Sequence, residues 1–212
     1  MKLADYDYHL PKDLIAAAPL ERREASRLLC LAKTTGAMRD DVFSSFPSRL
    51  RPGDALVLNN TKVFPARLNG RTETGASVEL LLQEEIEPNV WTALAKPAKR
   101  LTPGKKLELG GGVECEVIGR DEGSIKIRFD PTIDVWSEVE RVGSTPLPHY
   151  IERPKGEDLD DRQRYQTVFA KERGAIAAPT AGLHFTEEIL DQVRDSGVRV
   201  VEITLHVGYG TF

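Results

Sequence analysis

The chain has 212 residues, 40% of them hydrophobic and 29% charged, with a formal net charge of -4. That composition is globular and leaves room for one or two domains with a buried core. The acidic balance excludes attraction of the whole molecule to nucleic acid or an anionic membrane, so any such binding needs a local patch. Cys30 and Cys115 are far apart in strand-like surroundings and match neither a zinc spacing nor a disulfide framework. The N-terminal "MKLADYDYHLPKDLI" has no apolar stretch of signal-peptide length, and no run approaches the roughly 20 apolar residues of a membrane span. A cytoplasmic protein without membrane contact is expected.

In chain order, "SRLLCLAKTTGAMRDDVF" predicts two strands around a turn at Thr35 and Gly36, and "FSSFPSRL" a short helix before the turn "RPGD". In "DALVLNNTKV" the apolar run Ala55 to Leu58 ends abruptly at Asn59, Asn60 and Thr61, the pattern of a buried strand leading into a polar loop. Short strand-like runs follow, "ASVELLLQ", "VWTALAK", "KKLELG", "VECEVIG" and "SIKIRFD", separated by glycine-containing turns. Such spacing predicts a small antiparallel barrel or sandwich joined by hairpins. "TIDVWSEVERVG" restores helical spacing through Ile133, Trp136 and Val139, with Gly143 as the stop. After the proline-rich "TPLPHYIERP" and the charged "KGEDLDDRQR", α/β character returns. The fold class expected is therefore α/β, a discontinuous α/β domain over 1–63 and 148–212 with a small antiparallel β-barrel domain inserted at 64–147.

The last stretch carries the chemistry. "GAIAA" reads as a short buried strand before Pro179. Thr186 can cap a helix whose first turn holds Glu187 and Glu188, whose stripe is Ile189, Leu190 and Val193, and whose stop is Gly197. From Val198 to Val207 a strand alternates, with Val201, Ile203, Leu205 and Val207 on one face and Glu202, Thr204 and His206 on the other. Strand, helix and strand with short connections form a βαβ unit, so the two strands run parallel and end at one edge. "PTAGLHF" and "HVGYG" follow those ends, which should bring His184 and His206 near one crevice, where open α/β sheets place ligands. Gly182, Gly208 and Gly210 allow close backbone approach, and the helix start offers free amides.

Other features point less far. Gly110 to Gly112 lacks the lysine and serine or threonine of a phosphate loop and sits between strands, so a hairpin turn is expected. No G-x-G-x-x-G opens a helix. The run Lys96, Lys99, Arg100, Lys105 and Lys106 is either a solvated surface or a local contact for a phosphate backbone. "GEDLDDRQR" reads as a solvated loop and not as a metal site. No ordering of serine, histidine and aspartate supports a hydrolase.

Five segments are recognisable: "LPKDLIAAAPLERREASRLL", "DALVLNNTKVFPARLNG", "STPLPHYIERP", "RYQTVFAKERGAIAAPTAGLHFT" and "EITLHVGYGTF". Together, from Leu10 to the last residue, they resemble the S-adenosylmethionine:tRNA ribosyltransferase-isomerase family of queuosine biosynthesis. His149 and Tyr209 stand where the family often has proline and a small residue. The resemblance implies transfer and isomerisation of the ribosyl part of S-adenosylmethionine onto 7-aminomethyl-7-deazaguanine in a tRNA anticodon loop. Epoxyqueuosine-tRNA forms, and adenine and methionine leave. It also implies an α/β domain with an inserted β-barrel, a cytoplasmic location, no metal and no cofactor beyond S-adenosylmethionine as ribosyl donor; a monomer is expected. Family members continue well past the motif at which this sequence stops, which implies further strands and site groups.

That chemistry needs removal of a proton beside the sulfonium, assistance to the departing adenine and a neutral attacking amine. Imidazoles with an unperturbed pKa of about 6.5 can donate or accept protons near neutrality. His184 and His206 are therefore the candidate catalytic residues. Thr180, Gly182, Gly208, Gly210 and Thr211 are candidates for holding the nucleoside, with Asn59, Asn60 and Thr61 for hydrogen bonds to ribose or base. The basic run of the barrel is the candidate tRNA contact. A truncated tRNA-binding relative without catalysis and, more remotely, a methyltransferase remain the alternatives.

Overall fold

The computed structural model describes residues 2–121, 123–148, 150–151 and 159–211. His149, Phe212 and the start of the charged stretch at 155–158 lie outside them. Strands β1 (Arg27–Leu31) and β2 (Met38–Val42) form the expected antiparallel hairpin, and Phe43–Arg49 is a 3-10 helix that buries Phe43. β3 (Ala55–Asn59) and β4 (Thr61–Val63) are two halves of one extended stretch separated by Asn60.

A closed barrel follows, built from β5 (Arg67–Thr72), β6 (Ser77–Glu87), β7 (Val90–Lys96), β8 (Lys106–Leu109), β9 (Val113–Asp121) and β10 (Ser124–Phe129). The spatial order is β10-β7-β6-β5-β8-β9, with β9 and β10 paired to close it and every pairing antiparallel. Alternation places Leu80 and Leu82 of β6, Cys115 and Val117 of β9 and Ile125 and Ile127 of β10 in one core with Trp91 and Phe64. β5 has no counterpart among the predicted runs. Its "RLNGRT" offers one large apolar residue, Leu68, and a glycine where β8 comes closest. A Cβ on Gly70 would lie 2.4 Å from the Glu108 carbonyl oxygen, so only glycine permits that approach. Gly110–Gly112 is a tight turn between β8 and β9, as expected.

Helix α1 (Val135–Val142) is capped by the Asp134 carboxylate, which accepts from the Trp136 amide at 3.1 Å, and it buries Val135 and Val139. Trp136 packs edge-on against Phe64 and Trp91, with the Arg173 guanidinium 5.0 Å from its ring centroid. The end of the charged stretch, expected as a loop, is helix α2 (Leu159–Arg164). Its order explains the difference: Asp160 and Asp161 precede Arg162 and Arg164, the arrangement the helix dipole favours.

β11 (Glu172–Ala175), α3 (Glu187–Asp195) and β12 (Arg199–Ile203) complete the chain's regular structure. α3 follows its sequence signals: Thr186 accepts from the Ile189 amide, Ile189, Leu190 and Val193 are buried, and Gly197 follows at φ 82°. Two boundaries differ from expectation, since β11 begins at Glu172 and ends within "GAIAA", and β12 ends at Ile203. Both strands run parallel to the Ala55–Val63 stretch, β12 along β3 and β11 along β4. The change of partner falls on Asn60, whose amide donates to Ile203 O at 2.9 Å while its carbonyl accepts from the amides of Lys171 and Glu172. With that place taken by β11, residues after Ile203 leave β3, and Val207 O accepts from the Ile176 amide at 3.0 Å.

Within β12 the alternation read from the sequence holds, but the face that carries Val201 and Ile203 is the open one, and past the strand Val207 packs instead against the cluster of Val63 and Ala175. Val200, with Leu56 and Leu58 of β3, packs toward Phe43, Phe169, Phe185, Ile189 and Leu190, whereas Val201, Ile203 and Leu205 are exposed. The architecture is thus α/β with a closed antiparallel barrel. Both cysteines are free thiols, and burial in the barrel core pushes Cys115 up to about 12. Among the described residues, no helix is long and apolar enough to cross a membrane.

Candidate active site

The strand exchange at Asn60 gathers polar side chains from three segments. Thr61, fully buried, places its hydroxyl oxygen 2.8 Å from Nδ1 of His206. The imidazole lies across Gly174 of β11: a Cβ built there would sit 2.7 to 2.8 Å from ring atoms Cε1, Nδ1 and Nε2. Gly174 also has φ 152° and marks a register irregularity in the β11–β4 ladder, so glycine serves both the backbone and the ring above it. His206 is itself exposed.

The two asparagines before Thr61 are engaged within the protein. Asn59 receives the Leu205 amide at 3.0 Å and donates to the Leu205 carbonyl at 2.8 Å, continuing the ladder with a side chain where β12 has left it. Asn60 accepts from the Thr204 hydroxyl at 2.7 Å and donates to Glu202 at 3.1 Å. Glu202 receives Lys171 Nζ at 2.7 Å on both carboxylate oxygens. The hydrogen bonds from Lys171 and then Asn60, with the Lys171 charge, hold its carboxyl below the usual carboxylate range. Thr204 and Glu202 thus fix the backbone that leads to His206. Gln166 works in the same way on β4, its amide bonding both the N–H and the C=O of Val63 at 3.0 Å.

His184 has different neighbours. It ends the 3-10 turn Thr180–His184, and its ring stands 5.4 Å from that of Phe43, which stacks on Phe46 and meets Phe185 edge-on. Arg23 ties this loop down, donating to the carbonyls of Gln166 at 2.7 Å, Leu183 at 3.2 Å and Gln163 at 2.8 Å. The close approach that needs Gly182 is that of Phe169 and Thr167, each 2.9 Å from where a Cβ on that residue would sit. Thr180 is exposed at the start of the turn, and Gly208 and Gly210 border open space. The backbone of Thr211 closes a short 3-10 turn that begins at Tyr209.

Gly174, Lys171, Gln166 and Arg23 join these groups, although no sequence pattern singles them out as site residues. "FAKERG" carries the only local signal, a glycine inside a strand flanked by charges, which marks a bulge or close approach.

On the barrel, Lys96 and Arg71 line a cleft of about 690 Å³ beside the Gly110–Gly112 turn, and Arg100 and Lys105 line a second of about 220 Å³. Neither cleft includes His206. Cross-strand register sets Glu79 opposite Lys96 and Glu108 opposite Arg71, so the larger cleft mixes both charges. Lys99 lies exposed between β7 and β8, and Lys106 opens β8. Among the described residues, no three His, Cys, Asp or Glu side chains gather as a metal site.

An α/β protein with a closed barrel and a histidine-centred polar cluster where parallel strands exchange partners is the class these features define. The chain belongs to the queuosine biosynthesis protein family, whose model matches residues 3–212. It is 49% identical to the S-adenosylmethionine:tRNA ribosyltransferase-isomerase of Citrifermentans bemidjiense and 46% identical to that of Geotalea uraniireducens. Each match covers 100% of this chain and 62% of the relative, so the chain spans less than two thirds of their length. A crystal structure of S-adenosylmethionine tRNA ribosyltransferase from Thermotoga maritima is 33% identical, over 96% of this chain and 58% of that one, with a TM-score of 0.39.

Proposed function

We propose that the protein transfers and isomerises the ribosyl moiety of S-adenosylmethionine onto 7-aminomethyl-7-deazaguanine in tRNA, giving epoxyqueuosine-tRNA with release of adenine and methionine. The observation that carries this reading is the His206 cluster, an exposed imidazole fixed by buried Thr61 in a chain similar over its whole length to enzymes of that name. In the proposal His206 performs a proton transfer at the sulfonium side of the donor. His184, held against Phe43, orients the nucleoside together with Thr180 and the loop that Arg23 secures. Lys96, Lys99, Arg100, Lys105 and Lys106 contact the phosphates of the anticodon stem. The unit acts as a monomer in the cytoplasm, where its tRNA substrate is.

A second reading is a tRNA-binding relative without catalysis, for which the exposed Lys96, Lys99, Arg100, Lys105 and Lys106 of the barrel would suffice. Mixing the chain with S-adenosylmethionine and precursor-bearing tRNA, and following free adenine by chromatography, separates the two. Adenine should appear only with that tRNA, and His206→Ala should lower its rate on the order of 100-fold, the usual worth of a general acid or base. A folded sample that binds tRNA without releasing adenine would leave the binding reading standing, and S-adenosylhomocysteine as product would point to methyl transfer.

A further inference from the structure

The strand exchange does more than bring His206 to the site. We propose that Thr61 is a positioning residue that holds His206 as the neutral Nδ1–H tautomer, leaving Nε2 as the proton acceptor toward substrate. This rests on the reading of His206 as the proton-transfer group.

A count of protons favours one tautomer. The Thr61 hydroxyl oxygen has two partners, His206 Nδ1 at 2.8 Å and the Glu172 carbonyl at 3.5 Å. A hydroxyl has one proton to give, a carbonyl can only accept, and a neutral imidazole protonates one nitrogen. Only one assignment puts a proton in both contacts: Nδ1–H donates to Thr61, and the Thr61 hydroxyl donates to Glu172. The reverse assignment gives up the longer contact with the Glu172 carbonyl and leaves that separation without a proton. Because Thr61 is buried and paired to β11 in register with Glu172, its hydroxyl cannot turn to water for another partner.

Gly174 adds the orientation. With the imidazole resting on its Cα, the ring's plane is set by β11 and its in-plane direction by Thr61. Among the described residues Nε2 has no hydrogen-bond partner of its own. When Nε2 takes the proton from the carbon beside the sulfonium, the electron pair stays on that carbon and the ring becomes imidazolium. The Nδ1–H bond to Thr61 persists unchanged, so no protein hydrogen bond has to reverse during the transfer.

The test reads the tautomer directly, by nitrogen NMR of the His206 ring in the chain, assigned by comparison with His206→Asn. The wild-type ring is expected as Nδ1–H with a bare Nε2. Thr61→Val, which keeps the shape and removes the hydroxyl, is expected to move the ring toward Nε2–H, and Thr61→Ser to keep the wild-type pattern, all three with matching circular dichroism. A wild-type ring found as Nε2–H, or a tautomer indifferent to Thr61→Val in a folded variant, overturns the proposal. The spectrum is independent of turnover, so an inactive chain with the expected tautomer would sink the ribosyl-transfer reading, and with it the role of Nε2 toward substrate, and leave the tautomer set by Thr61 standing. In an active sample, Thr61→Val should lower kcat roughly tenfold with KM little changed, and Thr61→Ser should restore it, as expected for a group that acts through another.

Discussion

At Glu202 an ionisable group links β12 to Asn60 and to Lys171, the residue before β11, across the strand exchange. Its oxygens receive Lys171 and Asn60, and these bonds favour the ionised form. A carboxylate whose folded pKa is lowered stabilises the fold at pH above its unfolded value, near 4.3, and that contribution is lost as pH falls through the folded value. Glu202→Gln should therefore lower the melting temperature at pH 7 by about 1–2 °C, a modest effect because the pair is partly solvated. The gap between variant and wild type should close below about pH 4. Melting curves across that range decide the matter, and a gap that does not change with pH would remove the charge from the explanation. The pattern that places Glu202, Thr204 and His206 on one face is legible from alternation alone. Their partners are not, because His206 meets Thr61 across 145 positions of sequence and nothing local announces such a contact.

Elements are legible where local signals and packing agree. α3 has its cap, its stripe and its glycine stop in the sequence, and the fold uses all of them. Five barrel strands follow from apolar alternation between turns. β5 escapes because its pairing is written in what it lacks: Gly70 is small so that the Glu108 backbone can reach it. Gly70→Ala should then cost about 1–3 kcal/mol, the usual range for overpacking against a fixed neighbour. Urea unfolding checks this. A midpoint equal to wild type would mean that β8 moves away at no cost and that closure of the barrel does not depend on this contact. α2 is hidden for the opposite reason, since "LDDRQR" holds a single leucine and no apolar stripe, and only the order of its charges along the dipole favours a helix.

For the molecule as a whole, the parallel pair β3 and β12 is apolar on both faces, the composition of a strand pair meant to be covered on both. One face has its cover in α3 and the aromatic cluster around Phe43. On the other, Val57 is 54% exposed and pairs with Val201 at 43%, beside Ile203 at 41% and Leu205 at 61%. Contiguous apolar side chains at that exposure bind other apolar surfaces, and scattered single ones do not. The chain should therefore enhance the fluorescence of a hydrophobic dye while fully folded. Val201→Lys combined with Leu205→Lys should remove most of that signal, with stability changed by no more than about 0.5 kcal/mol per site, because neither residue contributes to the packed side. The β1–β2 hairpin supplies the control, since Leu29, Leu31 and Met38 are exposed as well. If Leu31→Lys quenches the dye and the Val201 and Leu205 pair does not, the sticky surface is the hairpin, and the open face of the parallel strands is solvated in spite of its composition.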